Sequence, residues 1–147
     1  MPIALKRILL VEDNINDVEL AMEALAENNI ANPVDVVRDG EEAIEYLQCR
    51  GKYSSRSAVN PVVIFLDIKL PKINGLEVLK IIRNDEKLRL IPVVIFTSSN
   101  EEKDLIASYK LGVNAYVVKP IDFNEFVRAV KMLGLFWAII NESPPDL

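Results

Sequence analysis

Short apolar runs alternate with segments of helical period along this chain. Each run is continuous rather than strictly alternating, which favours strands buried on both faces of a parallel sheet. The runs predict strands at Ile8–Val11, Val34–Val37, Val62–Leu66, Val93–Phe96 and Ala115–Val118. Apolar residues between the runs recur at helical spacing and predict amphipathic helices. The predicted inner faces are Ile15, Val18, Met22 and Leu25; Ala43, Ile44 and Leu47; Val78, Leu79 and Ile82; Leu105 and Tyr109; and Phe123, Phe126, Val127 and Val130.

This alternation predicts an α/β architecture. A βα unit repeated five times favours a parallel sheet with helices on both faces and right-handed crossovers. Five strands favour the flavodoxin-like, doubly wound (βα)5 fold with strand order 2-1-3-4-5. A TIM barrel would need about 250 residues, whereas this chain has 147. We therefore expect a single domain over residues 1–147, with its core at about 5–133.

Turn-forming residues punctuate the predicted elements. Asp39-Gly40 predicts a turn after the second strand, Asn74-Gly75 precedes a helix, and Pro92 opens a strand. The long polar segment Arg50–Asn60 predicts a surface loop before the third strand.

Charge and composition exclude several classes of function. The chain has 17 basic and 22 acidic residues, a formal charge of −5 and no histidine. A net acidic protein binds phosphate backbones poorly, so we expect no direct contact with nucleic acid. The lack of histidine excludes Ser-His-Asp triads and histidine metal ligands. The single cysteine, Cys49, suits a reducing compartment. No signal-peptide layout or membrane-length apolar run is present, so we expect a cytoplasmic protein away from membranes.

Side chains suited to phosphate and metal chemistry follow four of the five predicted strands. Glu12 and Asp13 follow the first strand, Asp67 the third, Thr97 the fourth and Lys119 the fifth. In an open α/β sheet, ligands bind outside the carboxyl ends of the strands. Clustered carboxylates repel one another unless a cation joins them. Oxygen ligands of this kind suit a hard divalent ion such as octahedral Mg²⁺.

The motifs around these residues resemble the receiver domain of two-component response regulators. They are Val11-Glu12-Asp13-Asn14, Phe65-Leu66-Asp67-Ile68-Lys69-Leu70-Pro71, Asn74-Gly75, Ile95-Phe96-Thr97-Ser98 and Gly112-Val113-Asn114-Ala115-Tyr116-Val117-Val118-Lys119-Pro120. The intervals between Asp67, Thr97 and Lys119 fit that family. The long polar loop and the Phe136-Trp137 ending also resemble the single-domain regulators that partner cyanobacterial phytochrome kinases.

The resemblance implies a phosphoacceptor rather than an enzyme with a separate substrate. Asp67 would accept a phosphoryl group from a phosphohistidine of a sensor histidine kinase, here of the phytochrome type. Asp13, Asp67 and the main-chain carbonyl of Lys69 would bind Mg²⁺, and Glu12 would act through metal-bound water. Lys119 would pair with Asp67 at rest and with a phosphoryl oxygen afterwards. The domain would promote only its own phosphorylation and dephosphorylation.

The resemblance also implies a conformational switch. The Thr97 hydroxyl would donate to the new phosphoryl group and draw in the loop that follows the fourth strand. Tyr116 would then turn inward, although the same residue also suits a packed strand aromatic. Lys119-Pro120 matches the family's cis peptide. The side chain of Lys69 leaves the lifetime of the phosphoryl group open.

Two other classes of protein remain as alternatives. A Mg²⁺-dependent aspartyl-phosphate phosphatase of the haloacid-dehalogenase type needs Asp-x-Asp, but Lys69 stands two residues beyond Asp67. A flavodoxin-like redox carrier needs a Ser/Thr/Gly-rich loop after the first strand. Here that loop begins with Glu12 and Asp13 and would repel an anionic flavin.

The C-terminal segment predicts an association surface. An apolar helix extension over about residues 132–142 carries one outward stripe, Met132, Leu135, Phe136 and Ile139. A helix that is apolar all round must be buried, and a large exposed apolar patch usually marks an interface. Because only 16 residues follow Lys131, too few for a DNA-binding domain, we expect output by protein contact. The extension could instead fold back over its own domain. We predict a homodimer through the last helix, tightened by phosphorylation at Asp67 through Thr97 and Tyr116.

Overall fold

The computed structural model describes residues 6–28, 30, 32–119 and 122–132. Within these residues, strands and α-helices alternate, and one 3₁₀ turn, Gly51–Tyr53, lies in the long polar loop. The elements are β1 (Ile8–Val11), α1 (Ile15–Glu27), β2 (Val34–Val37), α2 (Gly40–Leu47), β3 (Val63–Leu66), α3 (Gly75–Asn84), β4 (Val93–Thr97), α4 (Glu102–Lys110), β5 (Ala115–Val118) and α5 (Phe123–Val130).

The strands form one parallel sheet in the order β2-β1-β3-β4-β5, as predicted. Val11 pairs with both Val37 and Leu66, so β1, β2 and β3 end level with one another. Thr97 pairs with Val118 at the end of β4 and β5. The residues that follow these strands therefore meet at one edge of the sheet.

Burial differs between central and edge strands. β1, β3 and β4 are buried along their whole length, as the continuous apolar runs predict. The same prediction is wrong for β2 and β5, which are mostly half-buried. Both are edge strands, so each lacks a neighbour on one side.

Two apolar layers enclose the sheet. On one face, α2 and α3 contribute residues such as Tyr46, Leu79 and Ile82. On the other, α1 and α5 contribute residues that include Ala24, Leu25, Phe126 and Val130. The rings of Phe96 in β4 and Phe126 in α5 stack with their centroids 4.5 Å apart. This stack joins the last helix to the strand that carries Thr97.

The predicted inner faces hold for α2, α3 and α5 but not for α1 and α4. Ile15 and Met22 are 52% and 41% exposed, whereas Ala21 and Ala24 are buried with Val18 and Leu25. Small alanine side chains let α1 approach the sheet closely. The buried face of the helix is therefore rotated away from the face that the large apolar residues predict. Leu105 and Tyr109 of α4 are also exposed, and the buried residue of that helix is Ser108.

One predicted turn is a helix start. Asp39 caps α2 by accepting a hydrogen bond from Glu42 N–H at 2.7 Å, and Gly40 is the first residue of the helix. A Cβ atom at Gly40 would lie 1.9 Å from the carbonyl oxygen of Ile73. Close approach of two loops, rather than a turn, therefore requires this glycine. The predicted helix start at Asn74-Gly75 is confirmed, since Asn74 accepts from Glu77 N–H.

Two predictions concern residues outside the described ranges. One is the cis peptide between Lys119 and Pro120, and the other is the outward stripe at Leu135, Phe136 and Ile139. Among the helices that are described, none has the length and apolarity needed to cross a membrane.

Candidate functional site

Three carboxylates converge at the carboxyl edge of the sheet. Oxygens of Glu12, Asp13 and Asp67 all lie within 4.8 Å of one another. The backbone brings them together, because Asp67 N–H donates to Val11 C=O at 3.1 Å and continues the pairing of β3 with β1. The cluster of these three residues, which we call the acidic site, is the group that the strand ends predict.

Asp67 is held by hydrogen bonds to both carboxylate oxygens. Oδ1 accepts from Lys69 N–H at 3.1 Å, and Oδ2 accepts from the Lys119 ammonium at 3.1 Å. The loop beneath it packs tightly, since Gly75 N–H donates to Ile68 C=O at 2.7 Å. A Cβ atom at Gly75 would lie 2.1 Å from the carbonyl oxygen of Asp67. The start of α3 thus fixes the loop that orients this carboxylate.

The Lys119 ammonium lies between three carboxylates. Its Nζ is 2.7 Å from Glu12 Oε1, 2.8 Å from Asp17 Oδ2 and 3.1 Å from Asp67 Oδ2. An ammonium has three N–H donors, so these contacts use all of them. The pairing of Lys119 with Asp67 is the one the resemblance implies. Asp17 was missed, although its position in the first turn of α1, four residues after Asp13, could have indicated it.

The surroundings shift the pKa of both members of the Lys119–Glu12 pair. Burial raises the pKa of Glu12 to about 7, while the hydrogen bond from Lys119 opposes this shift. Burial alone would lower the pKa of Lys119, but its hydrogen bonds to Asp17 and Glu12 outweigh that effect and raise it. Lys119 therefore stays charged and supplies the positive charge that the acidic site needs.

Asp13 differs from its neighbours because it is exposed to solvent. Its carbonyl oxygen accepts from Arg38 Nη2 at 2.7 Å, and the next residue, Asn14, donates its N–H to Glu12 Oε2 at 3.2 Å. Asn14 also caps α1 by accepting from two N–H groups of the first turn. Arg38 was not identified from the sequence. Together these contacts fix the loop after β1 and leave the Asp13 carboxylate open to an arriving ion.

The donor set of the acidic site fits a divalent cation. The side chains that face one another offer carboxylate oxygens, which are the ligands of hard ions such as Mg²⁺ and Mn²⁺. Lys69 is exposed, and its N–H is engaged with Asp67. The positively charged side chain of Lys69 offers no oxygen ligand, so we do not expect it to hold the ion.

Thr97 and Tyr116 are joined through the loop that follows β4. Thr97 is fully buried, and its hydroxyl accepts from Ser99 N–H at 3.3 Å. The Tyr116 hydroxyl donates to the carbonyl oxygen of Ser99 at 2.8 Å. Burial raises the pKa of Tyr116, so the phenol remains a donor at neutral pH. Thr97 C=O also accepts from Lys119 N–H at 2.7 Å. One short segment thus connects the two predicted switch residues with the lysine.

Comparison with known proteins identifies the family. The sequence signature of the response regulator receiver domain matches residues 8–131. Response regulator Rcp1 from Synechocystis is 40% identical over 132 residues, which span 90% of this chain and 88% of Rcp1.

Solved structures agree with this match. Phosphorylated RcpA, a cyanobacterial phytochrome response regulator, superposes with a TM-score of 0.86 at 42% identity, covering 97% of this chain and 100% of RcpA. The bacteriophytochrome response regulator RtBRR is 56% identical, with a TM-score of 0.80 over 96% of this chain and 85% of RtBRR. Rcp1 has also been solved in a Mn²⁺-bound form.

This chain belongs to the response regulator receiver domain family. It is a signalling receiver rather than an enzyme in the usual sense. The resemblance drawn from its motifs is confirmed, and the findings give no support to the phosphatase or the flavodoxin alternative.

Proposed function

We propose that Asp67 accepts a phosphoryl group from a phosphohistidine of a sensor histidine kinase. The observation that carries this proposal is the position of Asp67, between the Lys69 N–H, the Lys119 ammonium and two further carboxylates. In the transfer, a carboxylate oxygen of Asp67 forms a bond to phosphorus as the phosphorus–nitrogen bond to imidazole breaks. The chain has no histidine, so the partner supplies the donor.

Mg²⁺ is the proposed cofactor. Asp13, Asp67 and the main-chain carbonyl of Lys69 would hold it, with Glu12 acting through water bound to the ion. The mutual distances in the acidic site and the Mn²⁺-bound form of Rcp1 support this assignment. When bound, the cation offsets the negative charge of the phosphoryl group during transfer.

Lys119 is the proposed partner of the phosphoryl group. Because it already donates to Asp67 Oδ2, a small movement would bring its ammonium to an oxygen of a phosphoryl group on that residue. The protein's own contribution is positioning and charge stabilisation, since phosphoryl transfer needs little covalent chemistry from the protein. With the same groups in place, attack of water on phosphorus would break its bond to the Asp67 oxygen, release inorganic phosphate and return Asp67 to its resting carboxylate.

Thr97 and Tyr116 form the proposed switch. A phosphoryl group adds up to about two negative charges and three acceptor oxygens. The Thr97 hydroxyl would donate to one of these oxygens and draw the Ser99 loop with it. Tyr116 would respond because its hydroxyl is bonded to Ser99 C=O. The existing bonds from Ser99 to both residues support this coupling.

The proposed partner is a phytochrome-type kinase, and the proposed output is homodimerisation. RcpA and RtBRR are described as phytochrome and bacteriophytochrome response regulators, which favours this class of kinase. Met132, the first residue of the outward stripe, is 77% exposed and supports an interface that continues through Leu135, Phe136 and Ile139. Residues 1–147 would form one receiver domain that acts in the cytoplasm.

Labelling with a small phosphodonor tests the central assignment. Incubation with acetyl phosphate and Mg²⁺, followed by intact mass measurement, should add one phosphoryl group to the wild type and none to Asp67→Asn. Asp85→Asn is a matched control, because it makes the same substitution at an aspartate outside the acidic site. Asp85 lies in the turn after α3, where it accepts from Lys87 N–H. Unchanged labelling of Asp67→Asn would overturn the assignment. Transfer from purified phytochrome kinases, compared with transfer from other histidine kinases, then tests the partner.

A further inference from the structure

A cavity lined by basic and apolar side chains lies at the edge of the sheet opposite the acidic site. It is about 490 Å³ in volume and is bounded by the connections that lead into β4 and β5. Three cationic side chains line it, namely Arg83, Arg89 and Lys110, and none of the described residues in its lining carries a carboxylate. This is unusual in a chain with a formal charge of −5. We call it the basic cavity.

Arg83 is the fixed element of this cavity. From the last turn of α3, its guanidinium donates to four backbone carbonyls: Leu111 at 2.6 Å, Ile91 at 2.8 Å, Arg89 at 2.9 Å and Gly112 at 3.1 Å. A guanidinium has five N–H donors, so one donor of Nη2 remains. None of these partners is charged, and burial lowers the pKa of Arg83. No carboxylate among the described residues forms an ion pair with Arg83, so backbone carbonyls alone hold its positive charge in place there.

Arg89 and Lys110 add two uncompensated charges. Both are exposed. Within the described residues, neither side chain has a carboxylate partner. The acidic residues of the same connection, Asp85 and Glu86, line a different cavity together with Cys49. Lys87 also lines that other cavity, so within the α3–β4 connection Arg89 is the charged residue that faces the basic cavity.

Apart from Asn114, the other side chains that line the basic cavity are apolar. They include Leu90, Pro92 and Leu111, and Leu90 is 50% exposed. The volume falls within the range of about 300–1,000 Å³ that is typical of small-molecule sites. A ligand suited to these surroundings combines an anionic head with an apolar body.

We propose that the basic cavity binds the phosphate group of a small organic phosphate. The spare donor of Arg83 and the free charges of Arg89 and Lys110 would contact the phosphate oxygens. The organic part would rest on Leu90, Pro92 and Leu111. A dianionic phosphate matches several cations better than a monoanion does, and hydrogen bonds between ionised groups are the stronger kind. This site is independent of phosphorylation at Asp67.

Nuclear magnetic resonance titration of the ¹⁵N-labelled protein tests the site. The probes are phenyl phosphate, inorganic phosphate and phenol, each added in buffer without divalent metal so that the acidic site repels anions. We expect phenyl phosphate to give saturable shifts at the Gly112 and Lys110 amides, with a dissociation constant in the millimolar range. Inorganic phosphate should bind there more weakly, and phenol should leave these amides unshifted.

Two double variants distinguish binding of phenyl phosphate in the basic cavity from general attraction to the positive charges of the protein. Arg89→Ala/Lys110→Ala should weaken phenyl phosphate binding by about tenfold or more. Lys80→Ala/Lys103→Ala removes the same charge from exposed lysines outside the cavity and should change binding less than about twofold. Equal weakening in both pairs, absent saturation, or shifts confined to the acidic site would overturn the proposal. Inorganic phosphate binding as tightly as phenyl phosphate would overturn the assignment to an organic phosphate.

Discussion

Lys119 lies closer to Asp17 than to Asp67: its ammonium nitrogen is 2.8 Å from Asp17 Oδ2 and 3.1 Å from Asp67 Oδ2. With Glu12 as the third partner, every donor of the ammonium is in use. A phosphoryl oxygen must therefore share or displace one of these carboxylates. Asp17 is the most exposed of the three, with 24% of its side chain accessible, and is the partner that can yield most easily.

The first prediction concerns Asp17→Asn. This change removes one negative charge near Asp67 and leaves more of the Lys119 charge available to a phosphoryl group. We expect beryllofluoride, a phosphoryl mimic, to bind with Mg²⁺ about three- to tenfold more tightly, with the gain shrinking at high salt. Fluorescence or calorimetric titration measures this. Glu19→Gln, an exposed position on α1, is the control. Weaker binding by Asp17→Asn would instead show that Asp17 positions Lys119.

The second prediction concerns Asp13→Ala. The proposed metal site has two direct carboxylate ligands, and this change removes the exposed one. Because Mg²⁺ affinity depends on ligand charge and number, we expect it to fall by at least about tenfold. Labelling of Asp67 should slow in parallel. Calorimetric titration of Mg²⁺ measures the effect, with Glu41→Ala on α2 as the control. Wild-type affinity in Asp13→Ala would contradict the proposed ligand set.

The third prediction concerns Gly75→Ala. The added Cβ would lie 2.1 Å from Asp67 O and 2.7 Å from Ile68 Cα, and both are backbone atoms. We expect the free energy of unfolding to fall by about 2 kcal/mol or more, and phosphorylation of Asp67 to slow as its loop shifts. Urea denaturation and acetyl phosphate labelling measure the two effects. Lys80→Ala in the same helix should change neither. A Gly75→Ala variant as stable as the wild type would show that the loop can move freely.

The fourth prediction concerns pH and Asp35 on the edge strand β2. The pKa of Asp35 lies below its usual value of 3.8, chiefly because Arg7 donates two hydrogen bonds to it, at 2.6 and 2.8 Å. The Tyr46 hydroxyl also donates to it. A lowered pKa in the folded state contributes stability above pH 3.8. That contribution disappears as the pH falls through the folded value.

Asp35→Asn should therefore lose about 1 kcal/mol of unfolding free energy at pH 7. The difference in unfolding free energy between this variant and the wild type should narrow below pH 3.8, because protonation of Asp35 then removes the same negative charge from the wild type. Urea denaturation at a series of pH values measures it. Glu23→Gln, on the exposed side of α1, serves as the comparison. A difference that stays constant down to pH 2 would contradict the assigned ion pair.

The fifth prediction concerns association through the outward stripe. If the stripe forms a dimer interface, burial of its large side chains drives pairing, at about 1.5–3 kcal/mol per fully buried residue before association costs. Light scattering should show a dimer for the wild type that tightens with beryllofluoride, and a monomer for Phe136→Glu/Ile139→Glu. Leu105→Glu on the exposed side of α4 is the control. A wild type that remains monomeric in both states at high micromolar concentration would exclude the interface.

The sheet and the strand-end residues could be predicted because each rests on a local signal. Continuous β-branched runs identify central strands such as β1 and β3, and the residue after a parallel strand must lie at the carboxyl edge. Glu12 and Asp67 were found in this way. The predicted and observed strand bounds differ by one residue for β3, which begins at Val63, and for β4, which extends to Thr97.

The missed features depend on packing between distant segments. Apolar spacing cannot show that Ala21 and Ala24, rather than Ile15 and Met22, face the sheet, because the sequence does not state how closely α1 approaches it. The contact of Arg38 with the Asp13 carbonyl depends on where β2 ends relative to β1. Asp39-Gly40 has the composition of a turn, and only the nearby Ile73 carbonyl shows why a glycine starts α2.

The contacts of Lys119 also bear on the order in which the protein matures during synthesis. They link residues separated by 52, 102 and 107 positions in the sequence. Such distant pairings are slow to form, because closing a long loop costs chain entropy. On the ribosome, the carboxylates of β1, α1 and β3 emerge well before the lysine that neutralises them. An unfinished chain that ends before β5 therefore carries Glu12, Asp17 and Asp67 without Lys119, the ammonium that contacts all three in the folded protein.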